Sequence, residues 1–291
     1  MNSLGDIEQF WDANPCGETL VDKRQDWKTF FTAYDAFRYR TEGHILKELD
    51  RLDLREKHIL EIGIGQAADS EQIIRRGGRW YGLDLTAEAV SRAETRFNLF
   101  GLPYEAVKQG SATEIPYADH MFDVVYSHGV LHHIPPIRQV SKEIQRVLKP
   151  GGLLVVMLYH RNSLNYMLSI SVIRRLLMLG LFLVSKIGLR AAIRNPLLIG
   201  HLRNAEEFGL VRYLRNPLFM MRNTDGPGNP YSKVYDPCEV EKDFAEFHIA
   251  RTGIHFLNER HLPFLKLLPA SWRNWLAAQY GWHLWVIMKE R

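Results

Sequence analysis

The sequence has little cysteine and no long uninterrupted hydrophobic run. Its two cysteines, Cys16 and Cys238, lie far apart and form no metal-binding or redox motif, which predicts a reducing, cytoplasmic compartment. The longest purely apolar run, Leu176–Val184, is far shorter than the ~20 residues of a membrane-spanning helix. The first residues have neither the basic region nor the apolar core of a secretory signal, so export is not expected. With 291 residues and 46% hydrophobic composition, the chain can still bury a sizeable core.

Acidic residues are scarce in one segment, residues 161–235. From Arg161 to Ala205 there is no acid at all, and the whole segment holds eleven basic residues against three acids. Since the chain as a whole carries +4, this segment carries +8 and the remainder −4. The asymmetry indicates that the segment has a task of its own.

A glycine-rich turn follows an apolar run in residues 58–69, HILEIGIGQAAD. Gly63 and Gly65 allow a sharp turn and close approach to a ligand, and the predicted helix behind them presents unpaired N–H groups. Asp84 ends a second apolar run about 20 residues later, the spacing at which a βαβ unit offers a carboxylate to a ribose. The glycines alone also fit a relaxed dinucleotide fingerprint. Glu61 breaks this tie, because its charge repels a pyrophosphate and attracts the ammonium group of an amino-acid moiety.

Two further segments extend the pattern: residues 115–135, IPYADHMFDVVYSHGVLHHIP, and residues 144–152, IQRVLKPGG. With them the chain resembles the class I S-adenosylmethionine (SAM)-dependent methyltransferases, most closely their small-molecule group, over residues 59–159. The resemblance implies transfer of a methyl group from SAM to a small-molecule acceptor by in-line displacement, in which positioning supplies much of the acceleration. An NAD(P)-dependent oxidoreductase and a non-catalytic SAM-binding or interaction protein remain as alternatives.

Alternating strand and helix patterns favour an α/β fold with a Rossmann-like, doubly wound and mostly parallel sheet. Two late apolar patterns, in residues 244–256 and 282–288, suit the antiparallel hairpin that class I methyltransferases add, which brings the sheet to seven strands. The first five strands are predicted at residues 58–62, 80–84, 105–109, 122–128 and 152–158, with helices near 67–76, 87–100 and 137–148.

The same patterns predict four units along the chain. They are an N-terminal helical cap (1–50), a SAM-binding core (51–160), a basic helical insert that would cover the active site (161–235) and a C-terminal completion of the sheet (236–291). Within the insert, residues 164–189 are apolar at helical spacing. A basic, apolar cap favours a lipophilic or anionic acceptor, or peripheral contact with an anionic membrane through residues 161–222.

A dimerisation or packing surface would explain the same insert, and the sequence does not indicate an oligomeric state. A nucleic-acid partner is not expected, because the basic residues lie on apolar helices and no RNA-binding module is present.

The resemblance assigns the methionine and ribose ends of SAM to the first two strand ends. Glu61, Gly63 and Gly65 are expected to line the methionine moiety. Asp84 is expected to accept hydrogen bonds from the ribose hydroxyls, and Leu85 to pack on the adenine. The glycines keep side chains out of the path of the ligand.

The adenine and sulfonium contacts are expected further along the core. Ser111 stands where the family often has an aspartate that binds the adenine amino group; its hydroxyl can still accept a hydrogen bond, but without charge. The backbone of Ala112 is expected to contact the ring edge. Ser127 and His128 end the fourth strand, where open α/β sheets place their ligands, and in the family this position faces the sulfonium.

Similar methyltransferases often close the SAM site with a tyrosine or arginine from the N-terminal helices. Arg38 or Arg40 is therefore expected to bind the SAM carboxylate, and Tyr39 to cap the sulfonium through a cation–π contact. An amphipathic helix that simply packs on the sheet explains the same residues equally well.

Three residues are candidates for catalysis or acceptor binding: His132, Tyr159 and His160. His132 follows the fourth strand, while Tyr159 and His160 follow the fifth and so border the same crevice. A base is needed only if the acceptor carries a proton on its attacking atom. His128 and His132, four residues apart, also suggest a metal, but no carboxylate or cysteine completes such a site, and none is predicted.

Overall fold

The computed structural model describes most of the chain. It covers residues 4–15, 17, 26–187, 193–222, 225, 228–257, 259 and 262–291, without the side chains of Pro196, Leu197, Pro217, Leu218 and Arg222. Cys16 and the predicted end of the insert helix at residues 188 and 189 lie outside the described residues.

Seven strands form one sheet with the order β3-β2-β1-β4-β5-β7-β6. β1 to β5 run parallel, and β7 is antiparallel to both of its neighbours, β5 and β6. The predicted seven-stranded, mostly parallel sheet with an antiparallel C-terminal pair is therefore confirmed. The strands are β1 (His58–Ile62), β2 (Arg79–Asp84), β3 (Ala106–Gln109), β4 (Phe122–His128), β5 (Leu148–Tyr159), β6 (Phe247–His255) and β7 (His283–Glu290).

β5 begins earlier than the sequence predicts. The turn residues Pro150 and Gly151 lie inside the strand, because Leu148 already pairs with Phe122 of β4. A register shift between Phe122 and Val124 absorbs the extra residues, as a β-bulge does.

Helices precede the sheet and connect its parallel strands. Asp26 accepts a hydrogen bond from the backbone of Thr29, and Thr86 accepts one from Ala89, so both residues are N-caps. The three helices predicted between strands are confirmed to within a residue or two. The helices are α1 (Leu4–Ala13), α2 (Trp27–Thr41), α3 (His44–Leu49), α4 (Ala68–Arg75), α5 (Ala87–Phe100) and α6 (Ile137–Val147), with a 3₁₀ turn at Leu131–His133.

Both faces of the sheet are buried, as a doubly wound fold requires. On one face Phe122 and Ile144 belong to a cluster that packs α6 and a later helix, Pro237–Asp243, against the strands. On the other face Trp80, fully buried, packs against Phe97 of α5 and lies in one cluster with Ile45 of α3. The sheet order reverses between β1 and β4, so the crevice at their carboxyl ends is the expected ligand site.

The insert is helical and contributes a small core of its own. Buried Met178 and Tyr213 lie in one cluster with Trp282, which directly precedes β7. This cluster places the insert beside the carboxyl end of β5, the strand with which β7 pairs. The remaining helices are a π-type segment (Asn165–Ile173), α7 (Arg174–Lys186), α8 (Pro196–Phe208), α9 (Leu210–Arg215), α10 (Pro217–Arg222), α11 (Pro237–Asp243) and α12 (Ala270–Tyr280), with a 3₁₀ turn at Pro263–Leu267.

The π-type segment continues directly into α7, which gives a helix of 22 residues, Asn165–Lys186. By length and composition this helix is long and apolar enough to cross a membrane, with a mean hydropathy of 2.0 in its most apolar window. The sequence obscures this length because Arg174 and Arg175 interrupt the apolar run. A core helix of a soluble protein can meet the same criterion, but only 17% of this window is buried.

Candidate active site

A cavity opens at the carboxyl ends of β1, β2 and β4, where the sheet order reverses. The 3₁₀ turn after β4 and the helices α1 and α2 close it from the other side. Nine of the eleven residues predicted to bind the cofactor line this one cavity: Arg38, Glu61, Gly63, Gly65, Asp84, Leu85, Ser111, Ala112 and His128. The other two lie behind its wall: Tyr39 donates to Asp69 (3.1 Å), and Ser127 donates to the carbonyl of Ile62 (2.8 Å).

The glycine turn is built so that a ligand can approach the backbone. Gly63 has φ +81°, and a Cβ added there would lie 2.2 Å from a methyl carbon of Val130. Its N–H donates to the carbonyl of Leu83 (2.8 Å), which ties the turn to the end of β2. A side chain at this position would displace Val130 from the cavity wall, so the glycine is required by both conformation and space.

Asp84 fastens the glycine turn to β2. Its Oδ2 accepts hydrogen bonds from the N–H groups of Ile64 (2.7 Å) and Gly65 (3.4 Å). Its Oδ1 accepts from the N–H and hydroxyl of Thr86, at 3.0 and 2.9 Å. Burial raises the pKa of this carboxyl, while these hydrogen bonds lower it. The carboxylate is thus held in place at the cavity wall, as a ribose-binding group must be.

Glu61 is almost fully buried, with 2% of its surface exposed. Its Oε2 accepts hydrogen bonds from the Ser70 hydroxyl (2.6 Å) and the Trp80 indole (2.7 Å). Burial raises its pKa to about 8. A cationic ammonium group in the cavity would favour the ionised carboxylate, so this residue suits the methionine end of SAM.

Asp69, which was not predicted as a site residue, connects several side chains of the site through hydrogen bonds. It accepts hydrogen bonds from Arg38 Nε (3.0 Å) and Nη2 (2.7 Å), and from the hydroxyls of Tyr39 (3.1 Å) and Tyr126 (2.9 Å). Burial opposes ionisation, but Arg38 and these hydrogen bonds hold the pKa of Asp69 below its usual value. Any ligand carboxylate must therefore share Arg38 with Asp69.

The part of the cavity lined by Ser111 and Ala112, where adenine binding is predicted, has neutral side chains, unlike the parts lined by Glu61 and Asp84. The hydroxyl of Ser111 lies 2.7 Å from that of Thr113 and accepts a hydrogen bond from the Thr113 N–H (3.1 Å). This hydroxyl is partly used by its own turn, whereas Ala112 lines the cavity and is buried. The backbone of this turn is therefore as available to a ligand as the serine side chain is.

The N-terminal helix α1 contributes cavity residues that the sequence analysis did not select. Leu4, Ile7 and Trp11 line the cavity, with Pro15 after the helix. Their spacing of three to four residues is the signal of one helix face, but it does not indicate what the face covers.

The three predicted catalytic residues lie near the cavity but outside its described lining. The ring of His132 lies behind His133, with centroids 4.2 Å apart, and neither of its nitrogens has a hydrogen-bond partner among the described residues. Burial lowers its pKa well below the usual range. His160 is buried beside the carbonyl of Gly281 (3.0 Å), and burial lowers its pKa too. Tyr159 stacks on Trp282, with ring centroids 4.3 Å apart. His133, not His132, lines the cavity.

Three histidines at the edge of the site lie close enough together to bind a metal ion. His44, His128 and His283 each offer a nitrogen within 4.8 Å of the others. However, Arg38 Nη2 lies 3.3 Å from Nδ1 of His128, so a fixed positive charge already occupies this neighbourhood. Burial lowers the pKa of His44 to about 2 and that of His128 to about 3. The guanidinium disfavours a second cation beside it.

Known proteins resemble the core of this chain in sequence. Residues 60–156 match the family described as a methyltransferase domain. A fatty-acid O-methyltransferase of Mycolicibacterium smegmatis is 32% identical over 34% of this chain and 36% of its own. A phthiotriol/phenolphthiotriol dimycocerosates methyltransferase of Mycobacterium ulcerans is 30% identical over 40% of each chain. A sterol 4-C-methyltransferase of Caenorhabditis elegans is 32% identical over 37% of this chain and 33% of its own. The matches thus span between a third and two fifths of these relatives.

Solved structures share the fold over nearly the whole chain. A chain in the complex between the Haloferax volcanii Trm112 methyltransferase activator and a methyltransferase has a TM-score of 0.55 at 15% identity, covering 98% of this chain and 97% of that one. The [4+2]-cyclase SpnF has a TM-score of 0.53 at 15% identity, covering 98% and 94%. Because the [4+2]-cyclase SpnF also has this fold, the fold alone does not identify the reaction. Residues 60–156 thus match a methyltransferase domain in sequence, and the chain as a whole shares a Rossmann-like fold with these solved structures.

Proposed function

We propose that this chain transfers a methyl group from SAM to a small lipophilic acceptor. The observation that carries the proposal is that nine residues chosen from the motifs line one cavity at the switch point of a methyltransferase domain. An NAD(P)-dependent oxidoreductase is not favoured, because the buried carboxyl of Glu61 borders the space that a pyrophosphate would need.

The residues present fit SAM at each of its ends. Asp84, fixed by backbone amides, would accept hydrogen bonds from the ribose. Glu61 and Gly63 would border the methionine moiety, with Arg38 available to its carboxylate. SAM supplies a methyl group already activated by its sulfonium. The protein has to orient the acceptor in line with that methyl and to keep water out. Residues of α1 and α2 line the cavity, and these helices would help to exclude water.

The acceptor class follows from the insert and from the relatives. The relatives' names specify a fatty acid, a phthiotriol lipid and a sterol, so lipophilic acceptors are common to them while the methylated atom is not. On this chain, an exposed apolar stripe runs along the long insert helix. Its members are Val172, Leu176, Leu179, Leu183 and Ile187, between 40% and 73% exposed.

The stripe supports peripheral contact with an anionic membrane from which a lipophilic acceptor could be drawn. Residues three to four apart fall on one helix face, and the sequence from Arg161 to Ala205 contains basic residues but no acidic residue. An apolar face flanked by cations is the arrangement that binds an anionic lipid surface.

Calorimetry tests the cofactor. The wild type should bind SAM and its demethylated product, and Asp84→Ala should lose most of that affinity, since the carboxylate both positions the turn and meets the ribose. Asp53→Ala, at an exposed loop position, is the matched control and should bind as the wild type does. A folded wild type that binds neither compound would refute the proposal.

Vesicle sedimentation tests the membrane contact separately. The wild type should pellet with vesicles containing phosphatidylserine and much less with pure phosphatidylcholine vesicles. The double variant Leu176→Glu, Leu183→Glu should stay in the supernatant. Leu99→Glu, at a leucine of α5 that is 44% exposed, is the control and should pellet normally. Equal pelleting of all three proteins would contradict this surface.

A further inference from the structure

A largely buried polar cluster lies next to the cavity, which His133 lines. It joins His133 from the turn after β4, Tyr159 from the end of β5, and Asp225 and Asn229 from the end of the insert. Of these four residues, only Tyr159 was predicted from the sequence to have a role. Three separate parts of the chain thus converge on one carboxylate.

The hydrogen bonds of His133 fix its tautomer. Its Nδ1 lies 2.9 Å from the carbonyl oxygen of Tyr231, which can only accept, and 3.5 Å from the amide nitrogen of Asn229, which can only donate. The shorter contact assigns the proton to Nδ1. Nε2 then keeps its lone pair and has no hydrogen-bond partner among the described residues. The ring lines the cavity, and Trp11 of α1 contacts it edge-on, with centroids 5.2 Å apart. His133 therefore lines the cavity with a ring whose Nε2 can accept a proton.

Asp225 is placed to stabilise a positive charge on that ring. Its Oδ2 lies 3.9 Å from Nε2 of His133. The Tyr159 hydroxyl donates to Oδ1, and the Asn229 amide donates to Oδ2 at 3.3 Å, so two neutral donors hold the carboxylate without neutralising it. The carboxylate lies beside Nε2, the nitrogen that would take up the proton, so it would stabilise the imidazolium directly, and His133 can act as a general base.

We propose that His133 is the general base of the methyl transfer and that the acceptor presents a protonated hydroxyl, as in a lipophilic alcohol or phenol. This inference rests on the proposed function. The acceptor oxygen forms a bond to the methyl carbon while the carbon–sulfur bond breaks and its electron pair goes to sulfur. The hydroxyl proton passes to Nε2 of His133, and the imidazolium later releases it to water. Asp225, Tyr159 and Asn229 are positioning residues in this step.

The groups around His133 set the direction of its pH response. Burial lowers its pKa and Asp225 raises it, so the ring is neutral at neutral pH and able to accept a proton. His132 and Tyr159 face the same ring and are neutral there, and Arg174 of the insert acts on Asp225 from further away. Removing the carboxylate charge should therefore lower the pKa of His133 further.

Nitrogen NMR of histidine-labelled protein in the presence of the demethylated product tests the tautomer directly. The His133 signal, assigned with the His133→Gln variant, should show a protonated Nδ1 and an unprotonated Nε2 at pH 7. In Asp225→Asn the ring should titrate at lower pH than in the wild type. A protonated Nε2, or titration unchanged by Asp225→Asn, would overturn the proposal. Tyr159→Phe, which keeps the charge, should shift the titration less than Asp225→Asn does.

Turnover gives the second readout, with radiolabelled SAM and 1-dodecanol or dodecanoate as probe acceptors. Only the alcohol needs a base, because the carboxylate is already ionised at pH 7. His133→Gln should bind SAM as the wild type does and lose about 10²-fold or more in kcat for the alcohol. His248→Gln, at an exposed position of β6, should keep full activity. A wild type that methylates only dodecanoate would overturn the base. Failure of the wild type to bind SAM would instead overturn the proposed function.

Discussion

Arg38 of α2 and Asp69 of α4 form a bidentate ion pair, with Nε and Nη2 at 3.0 and 2.7 Å from the two carboxylate oxygens. The pair lies directly behind the glycine turn, and its side chains are 15% and 4% exposed. Because Tyr39 and Tyr126 also donate to Asp69, one carboxylate fastens the N-terminal helices to the central strand β4. The cover of the cavity and its floor are thus parts of one hydrogen-bonded unit.

Asp69→Asn should therefore destabilise the whole protein. The substitution leaves the largely buried Arg38 with only Glu42, 3.6 Å from Nη1, as a counter-charge, and losing the bidentate partner costs about 3–5 kcal/mol in the free energy of unfolding. Urea denaturation measures this loss. Asp50→Asn removes a comparable pair with Arg76, but Asp50 is 64% exposed, so its loss should stay within about 1 kcal/mol. Equal effects of the two substitutions would contradict the role given to Asp69.

The stability of the ligand-free protein should fall as the pH rises towards 8, because of Glu61. Its pKa is about 8 in the folded protein against 4.5 for the free side chain, so between these values the native state binds a proton that the unfolded state has released. This contribution is fully present below pH 4.5 and is lost as the pH rises through 8. Glu61→Gln keeps an acceptor for Ser70 and Trp80 but cannot ionise. Thermal unfolding at pH 5 and pH 8 should show a smaller decrease in Tm for this variant. The same decrease in both proteins would contradict the assignment.

Local sequence signals predicted most of the fold and most of the cofactor half of the site. Gly63 and Asp84 stand at the ends of adjacent strands, and strand ends follow from periodicity along the chain. Since the carboxyl ends of parallel strands share one sheet edge, residues chosen locally came together in space. The alternation of strands and helices predicted the parallel part of the sheet, while the antiparallel C-terminal pair was expected from the resemblance to class I methyltransferases.

The other half of the site depends on contacts between distant segments. Asp69 pairs with Arg38 across 31 positions, and Asp225 meets Tyr159 across 66. Periodicity carries no information about such pairs, so neither Asp69 nor Asp225 was among the predicted site residues. His133 was passed over in favour of its neighbour His132 because a 3₁₀ turn, with its own rotation per residue, decides which of the two rings faces the cavity.

Gly63→Ala should impair both stability and SAM binding. Comparison with Gly151→Ala separates the effect of backbone strain from that of overpacking. Gly63 and Gly151 have nearly equal positive φ angles, +81° and +78°, so alanine is strained at both. Only at Gly63 would the new Cβ meet neighbours, the methyls of Val130; nothing lies within 4 Å at Gly151. Overpacking adds about 1–3 kcal/mol to the strain. Chemical denaturation and calorimetry with SAM should therefore show a larger loss for Gly63→Ala, and Gly63→Ala with Val130→Ala should recover part of it.

Trp11→Ala should weaken SAM binding without unfolding the core. Trp11 lines the cavity from α1 and contacts His133, while the hydrophobic clusters of the sheet do not include it. Removing the indole exposes the bound ligand to water, and a roughly tenfold rise in Kd corresponds to about 1.4 kcal/mol of lost contact. Calorimetry gives the Kd, and thermal unfolding without ligand should change little. Trp275→Ala, on the surface of α12 and 57% exposed, is the control and should bind SAM normally. If Trp11→Ala bound SAM as tightly as this control, α1 would not be part of the cofactor site.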